Sequence, residues 1–241
     1  ELALDRRAGS GSCAAMPYEL LIADKSYSSW SLRGWLCFAA FGIPVNVTST
    51  RMYCDDFARD LAAFSDTART VPLVKAPDGA LLTDSLAIAW ALAEAFPDKG
   101  LLPADPGARG DALSLVAEMH SGFSALRAAC PMNLRTGWTG FEPSAAVLAD
   151  IGRVEALWAH ALAAHGGPWL CGQYSLADVF FAPLATRLVT YGLPVSDRAR
   201  AYVSRHLAHP RLVDWRKAGL DEGPDQPAYE MDLPRRDFPQ S

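Results

Sequence analysis

The chain has 241 residues, 50% of them hydrophobic, and its 22 basic and 27 acidic side chains give a net charge of −5. This length and composition allow one large domain or two small ones, each with a hydrophobic core. The acidic balance and the lack of a long basic block argue against nucleic acid or an anionic membrane as a partner, and no apolar run approaches the roughly 20 residues of a membrane-spanning helix.

The N-terminal stretch and the cysteines indicate where the protein works. Asp5, Arg6 and Arg7 interrupt the start of the chain, which lacks the apolar core of a signal peptide. We expect residues 1–17 to be a disordered extension or one added in cloning. The five cysteines are odd in number, widely spaced and without a C-x-x-C pair, which favours free thiols in a reducing, cytoplasmic compartment. No metal site is predicted.

Strand and helix patterns alternate through residues 18–97. Period-two or apolar runs predict strands, and apolar residues at spacings of three and four predict helices. The predicted elements are a strand at 18–23, a helix around 32–39, a strand at 45–49, a helix around 57–64, a hairpin at 72–83 and a helix at 85–96. This β-α-β-α-β-β-α order is that of a thioredoxin-like domain.

The second half of the chain reads differently. Proline and glycine concentrate in residues 98–110, which predicts a linker between domains. Residues 111–219 show almost no strand pattern and predict an all-helical domain. Within it, Ser175 and Asp178 have the spacing of a capping box, which begins a helix that is apolar on nearly all sides. Residues 220–241 are rich in proline and acidic residues and predict an irregular tail.

The stretch from Thr70 to Ile88 predicts a small peptide-binding site. Pro72 opens an apolar strand, where proline is unusual, and a cis Val71-Pro72 bond is one resolution. At the strand start, the Val71 amide and carbonyl could pair with an extended ligand. Beyond the hairpin turn, Asp84 or Ser85 caps a helix whose free amides favour a carboxylate. An edge strand followed by an ordinary capped helix is the alternative interpretation.

Three serines precede and open the first predicted helix, in the segment Ser26 to Arg33. A hydroxyl at a helix N-terminus can donate a hydrogen bond to a bound thiolate and so lower the pKa of a thiol. Only one serine is needed as the helix cap, and capping alone is the structural explanation for all three, Ser28, Ser29 and Ser31.

Together these segments resemble the cytosolic glutathione transferases. The resemblance runs from about residue 18 to residue 219. It depends on four segments found in the right order: Ser28-Ser29-x-Ser31-x-Arg33, Val71-Pro72, Asp84-Ser85-Leu86-Ala87-Ile88 and Ser175-Leu176-Ala177-Asp178. The implied fold is a thioredoxin-like domain followed by a helical bundle. The resemblance further implies glutathione as co-substrate, a small hydrophobic electrophile, a homodimer and a role in detoxification.

The serine segment is similar to that of the zeta class. By this resemblance Ser28 faces the glutathione thiolate, with Ser29 as the second choice. Val71 would pair with the cysteinyl backbone of glutathione, while Asp84 and Ser85 would bind its γ-glutamyl end. The predicted glutathione contacts are Ser29, Trp30, Arg33, Thr70, Val71, Pro72, Asp84 and Ser85, and Arg51 and Arg69 are weaker candidates.

The sequence also departs from the zeta pattern. Trp30 replaces the cysteine of its motif, and Thr190 stands where the maleylacetoacetate isomerases of that class carry a substrate-facing arginine, although Arg187 lies one helical turn earlier. A glutathione-dependent isomerase therefore remains an alternative, as does a non-catalytic ligand-binding or partner-docking protein of the same fold. A disulfide reductase is disfavoured because the serine junction has no cysteine.

The electrophile is expected between the two domains. An apolar cleft with few polar groups suits a hydrophobic substrate. The predicted lining residues are Tyr27, Met119, His120, Phe123, Met132, Asn133 and Arg187. For most of them, packing between helices is the alternative interpretation.

Overall fold

The structure is a computed structural model that describes residues 17–238, so nearly all of the expected extension at 1–17 lies outside the described residues. The first domain consists of β1 (Tyr18–Ala23), α1 (Ser29–Ala39), β2 (Val45–Thr50), α2 (Asp55–Phe64), β3 (Leu73–Lys75), β4 (Leu81–Leu82) and α3 (Ser85–Ala95). The predicted β-α-β-α-β-β-α order and the thioredoxin-like fold are confirmed.

The sheet of this domain has the strand order β2-β1-β3-β4. Strand β1 runs parallel to β2, in register from Tyr18 with Val45, and antiparallel to β3, which pairs with β4 through the hairpin. Side chains of a strand alternate between the two faces of its sheet. Accordingly Leu20 and Ile22 pack into the main core, whereas Leu21 and Ala23 pack into a second cluster with residues of α2.

The second domain is mainly helical and follows a 3-10 turn (Pro97–Lys99). It contains α4 (Pro106–Ser121), α5 (Ser124–Ala129), α6 (Ala145–Ala164), α7 (Leu176–Thr190), α8 (Asp197–Ala208) and α9 (Pro210–Leu220). Helix α4 begins inside the segment predicted as a linker, because the Asp105 carboxylate accepts from the Ala108 amide at 2.8 Å and Pro106 takes the first helical position.

Helix α7 is the central helix of this domain and is buried along almost its whole length. Its first turn has the predicted capping box between Ser175 and Asp178. The Asp178 carboxylate also accepts from the Leu170 amide at 3.1 Å and the Tyr202 hydroxyl at 2.7 Å. Among the helices of residues 17–238, none combines the length and the apolar character needed to cross a membrane.

The segment after α9 is more ordered than its composition predicts. It forms a 3-10 turn (Pro227–Tyr229) and a short strand, β6 (Arg235–Asp237), which pairs antiparallel with β5 (Thr136–Trp138). The expectation of an all-helical second half and an irregular tail therefore needs correction. Gly137 makes the pairing possible, since a Cβ there would lie 2.9 Å from the Arg236 side chain.

Candidate functional site at the first strand-helix junction

The loop between β1 and α1 holds Ser28 at the N-cap of α1. The Ser28 and Tyr27 amides both donate to the Asp24 carbonyl, at 2.9 and 3.0 Å. Ser28 Oγ accepts from the Ser31 amide at 3.2 Å and lies 2.9 Å from Ser31 Oγ, which in turn accepts from the Ala23 amide at 3.0 Å. A hydroxyl can rotate to donate in either direction. The end of β1 and the start of α1 are thus joined through two hydroxyls.

Ser29 is the first residue of α1 and contacts the second domain. Its Oγ accepts a hydrogen bond from Arg187 Nη2 of α7 at 3.2 Å. Both side chains are buried, with residue exposures of 9% and 5%. Ser29 therefore joins the two domains at the point where the sequence predicts a thiolate site.

Two arginine side chains contact the ring of Trp30. The Arg33 guanidinium lies 4.7 Å from the Trp30 ring and that of Arg127 lies 4.8 Å from it, as in cation–π contacts. The His120 ring approaches Trp30 edge-on at 5.3 Å. Arg33 is fully buried and donates from Nε to the Phe180 carbonyl at 3.1 Å, while its Nη1 and Nη2 have no partner in the described part of the chain.

The peptide-binding edge has the predicted backbone. The Val71-Pro72 bond is cis. Val71 lies just before β3, and within residues 17–238 neither its amide nor its carbonyl has a backbone partner. Pro72 packs against α1 at Gly34, where a Cβ would lie 2.7 Å from the proline ring. This close contact brings the edge of β3 against the helix that carries the serines.

The start of α3 forms the other end of the predicted site. Asp84 is the N-cap, and its carboxylate accepts from the Leu86 amide at 2.7 Å. The fully buried Ser85 hydroxyl has no partner among the described residues. His120 of α4 lies 3.8 Å from Asp84 through Nε2. Because His120 also touches Trp30, the α3 end and the serine junction belong to one continuous site.

Several predicted lining residues lie elsewhere. Met119, Phe123 and Met132 are 0%, 6% and 1% exposed and belong to the hydrophobic core, so they offer no surface to a substrate. The Asn133 side chain accepts from the Arg135 and Thr136 amides and shapes a turn. The pattern that suggested a cleft wall is the pattern of packing between helices.

Thr70 and the two weaker glutathione candidates, Arg51 and Arg69, lie away from the serine junction. Thr70 is exposed. Arg69 donates to the Ala68 and Asp66 carbonyls at 2.7 and 3.0 Å. Arg51 donates to the Pro224 carbonyl at 3.0 Å and so contacts the C-terminal segment. None of the three reaches the serine junction through a hydrogen bond in the described residues.

The C-terminal segment contributes residues that the sequence did not single out. Tyr229 packs against Tyr27, with ring centroids 4.8 Å apart, and more loosely against Tyr53 at 6.3 Å. The Asp225 carboxylate accepts from the Tyr27 hydroxyl at 3.1 Å, and burial raises the pKa of Tyr27 to about 12. The Gln226 amide donates to Asp24 at 2.9 Å. The only sequence signal that could have pointed to these residues is a tyrosine and a glutamine within a proline-rich segment.

Comparisons with known proteins agree with this architecture. Residues 27–95 match the family described as glutathione S-transferase, N-terminal domain. A search of curated proteins gave no match.

Similar solved structures cover most of the chain. A glutathione transferase homologue from Burkholderia GL BGR1, solved with bound glutathione, has 23% identity and a TM-score of 0.64 over 86% of this chain and all of that one. Glutathione transferase Omega 2S from Trametes versicolor, in complex with 2,4-dihydroxybenzophenone, has 19% identity and a TM-score of 0.61 over 86% of this chain and 98% of its own. A diazinon-metabolizing glutathione S-transferase of the silkworm Bombyx mori has 17% identity and a TM-score of 0.62 over 85% and 98%.

The family match and the structural neighbours lead to the same assignment, although they do not single out the zeta class. Residues 27–95 match the glutathione S-transferase N-terminal domain family, and the chain as a whole has the fold of the glutathione transferases.

Proposed function

We propose that this protein is a glutathione transferase that joins the glutathione thiolate to a small hydrophobic electrophile. The observation that carries the proposal is the serine junction, where Ser28 caps α1 and is bonded to Ser31 at 2.9 Å. The unpaired backbone of Val71 would hold the cysteinyl part of glutathione. The Ser85 hydroxyl, which has no partner within residues 17–238, and amides of the first turn of α3 would bind the γ-glutamyl carboxylate.

The serine pair offers a way to stabilise a thiolate. In the structure Ser28 Oγ donates to Ser31 Oγ, and Ser31 Oγ also accepts from the Ala23 amide. When glutathione binds, the Ser28 proton would turn from Ser31 to the sulfur, and the Ser31 hydroxyl could then donate to Ser28 in its place. Successive hydrogen bonds of this kind strengthen one another. Donation to the charged form lowers the pKa of the thiol, whose proton leaves to water.

The thiolate would then act as the nucleophile. Its lone pair forms a carbon–sulfur bond with the electrophile, and a leaving group departs with its bonding electrons, or, in an addition, a proton from water completes the product. Holding both reactants together supplies most of the rate increase. Exposed Tyr53 and half-buried Tyr229 are the candidate walls for the electrophile, and Tyr27, which is only 4% exposed, supports Tyr229 from inside the protein.

The alternative functions are less well supported. The isomerase alternative needs an arginine that faces the substrate, whereas Arg187 is buried and donates from all three of its nitrogens within the protein. A carrier would bind glutathione or a hydrophobic molecule without forming product. Turnover assays with aryl halides, epoxides and enoyl ketones separate a carrier from an enzyme.

The serine role is tested by titrating the thiol of bound glutathione through its ultraviolet thiolate absorbance. Replacing Ser28 with alanine removes the donor and should raise the pKa of the bound thiol by about one to two pH units. Ser29→Ala, at the second-choice serine, should have a smaller effect, and a larger effect there would make Ser29 the main donor. An unchanged thiol pKa in Ser28→Ala, with glutathione still bound, would show that Ser28 is not the donor.

The resemblance also supports a homodimer. We expect a mass twice that of one chain in sedimentation equilibrium, and a single-chain mass would contradict this part of the proposal.

A further inference from the structure

Arg187 is a buried cation that has no carboxylate partner within residues 17–238. Its Nε donates to the Cys130 carbonyl at 2.8 Å, its Nη1 to the Pro183 carbonyl at 3.1 Å and its Nη2 to Ser29 Oγ at 3.2 Å. All three acceptors are neutral. Burying a charge is costly unless an opposite charge compensates it, so this arrangement leaves a positive charge without a counterion at the serine junction.

Among the described residues, the groups that shift the pKa of Arg187 include a second cation, Arg127, and no carboxylate. Burial and the neighbouring Arg127 lower the pKa of Arg187 to about 10, so it stays protonated at neutral pH. Burial lowers the pKa of Arg33, and the nearby Arg187 and Arg127 lower it further, while the Asp84 carboxylate raises it. Burial raises the pKa values of the other titratable groups facing Arg187, which are therefore neutral at pH 7: Cys130, Tyr191 and Tyr229.

Ser29 connects this charge to the site. Because its oxygen accepts from Arg187 Nη2, its own proton remains available, and no acceptor for that proton lies within hydrogen-bond distance in the described residues. A hydroxyl that accepts from a guanidinium is also a stronger donor. Ser29 can therefore present a polarised hydroxyl to the same bound group that Ser28 faces.

We propose that Arg187, a residue of the helical domain, is a positioning residue for the thiolate chemistry. It holds the Ser29 hydroxyl as a second donor, and its charge is compensated by the thiolate when glutathione is bound. This inference depends on the proposed function, since it assigns the thiolate of that same site as the missing counterion. The second domain would then help to activate glutathione.

The test compares thiol titrations of bound glutathione in four chains. Arg187→Gln removes the charge and should raise the pKa of the bound thiol by about one pH unit, with a corresponding loss of thiolate at neutral pH. Arg187→Lys keeps the charge and should restore a large part of the effect. Arg127→Gln is the matched control, because it removes a cation of the same cluster that has no bond to Ser29, and its effect should be smaller.

The outcomes separate the two proposals. A parent protein that does not bind glutathione, or that leaves the bound thiol with its ordinary pKa, would overturn the proposed function itself. A parent that lowers the thiol pKa, together with an Arg187→Gln chain that lowers it equally, would overturn only the role of Arg187. If Arg187→Gln does not fold, Ser29→Ala carries the test, and an unchanged thiol pKa in that variant would also refute the proposal.

Discussion

Gly34 determines how closely the first helix approaches the peptide-binding edge. A Cβ at this position would lie 2.7 Å from two atoms of the Pro72 ring and 3.9 Å from Ile88. A proline ring is rigid and cannot swing away as a long side chain can. The absence of one carbon at Gly34 therefore allows α1, the start of β3 and α3 to meet.

Replacing a glycine inside a helix with alanine usually stabilises a protein, but the contact with Pro72 should make this replacement destabilising. Gly34→Ala should destabilise the fold by about 1–3 kcal/mol through overpacking, and should weaken glutathione binding because Val71 shifts with Pro72. Gly152 lies within α6 with open space around it, so Gly152→Ala should stabilise by about 0.5–1 kcal/mol. Urea unfolding measures both variants, and effects of the same sign would refute this account of Gly34.

At the scale of elements, the segment from residue 222 to 229 acts as a brace between two loops of the first domain. Asp225 accepts from Tyr27 and from Arg135 Nη1, the latter at 2.9 Å. Gln226 donates to Asp24 and to the Met52 carbonyl, at 2.9 and 3.0 Å. The loops after β1 and after β2 are thus held by a segment that follows the last helix.

Asp225→Ala should loosen this brace, because it removes the acceptor of the Tyr27 hydroxyl and of Arg135 Nη1. We expect faster amide exchange in residues 24–29 and 222–229 together, by about tenfold, which corresponds to roughly 1.4 kcal/mol of local opening. Asp221→Ala, next to the same segment, is the matched control. Faster exchange confined to 222–229 would mean that the loop after β1 is held independently.

At the scale of the whole molecule, the core of the helical domain contains a histidine that cannot easily be charged. His206 of α8 is 1% exposed and packs edge-on against Trp169 and Tyr202 at 5.2 and 4.7 Å. Neither ring nitrogen has a partner in the described residues. Burial, with the charge of His209, lowers the pKa of His206 to about 3.

This histidine should make the fold sensitive to acid. The unfolded chain binds a proton below about pH 6.5 and the folded chain only near pH 3, so the contribution of His206 to stability is lost as the pH falls from 6.5 toward 3. At pH 5.5 the loss is about 1.4 kcal/mol. Buried Asp178, whose pKa is raised to about 6, works in the opposite sense, so the difference between parent and variant is the quantity to measure.

The measurement is the unfolding free energy of the parent and of His206→Phe between about pH 4.5 and 7, which covers the upper part of the window between the unfolded and folded pKa values. The phenylalanine variant should lose less stability on acidification than the parent. His160→Gln is the control, because it removes an imidazole from an exposed position. Parallel pH profiles for the parent and His206→Phe would exclude His206 as the acid-sensitive group.

The sequence predicted features whose cause is local. Pro72 before a strand, the serines before α1 and the Ser175 and Asp178 pair each act within a few residues, so their signals survive in the sequence. The pairing of β5 with β6 and the bond from Arg187 to Ser29 join distant segments, and nothing in either segment alone indicates its partner. The sequence of α7 does hint at the bond made by Arg187, because this arginine interrupts an otherwise apolar helix that had to be buried.

The fluorescence of Trp30 should respond to binding at the site. It is one of seven tryptophans, and two guanidinium groups lie 4.7 and 4.8 Å from its ring. Indole emission responds to the electric field of nearby charges. A negative charge brought to the neighbouring serines would oppose that field and shift the emission of this residue. The fluorescence difference between the parent and Trp30→Phe should therefore report occupancy of the site without any added dye.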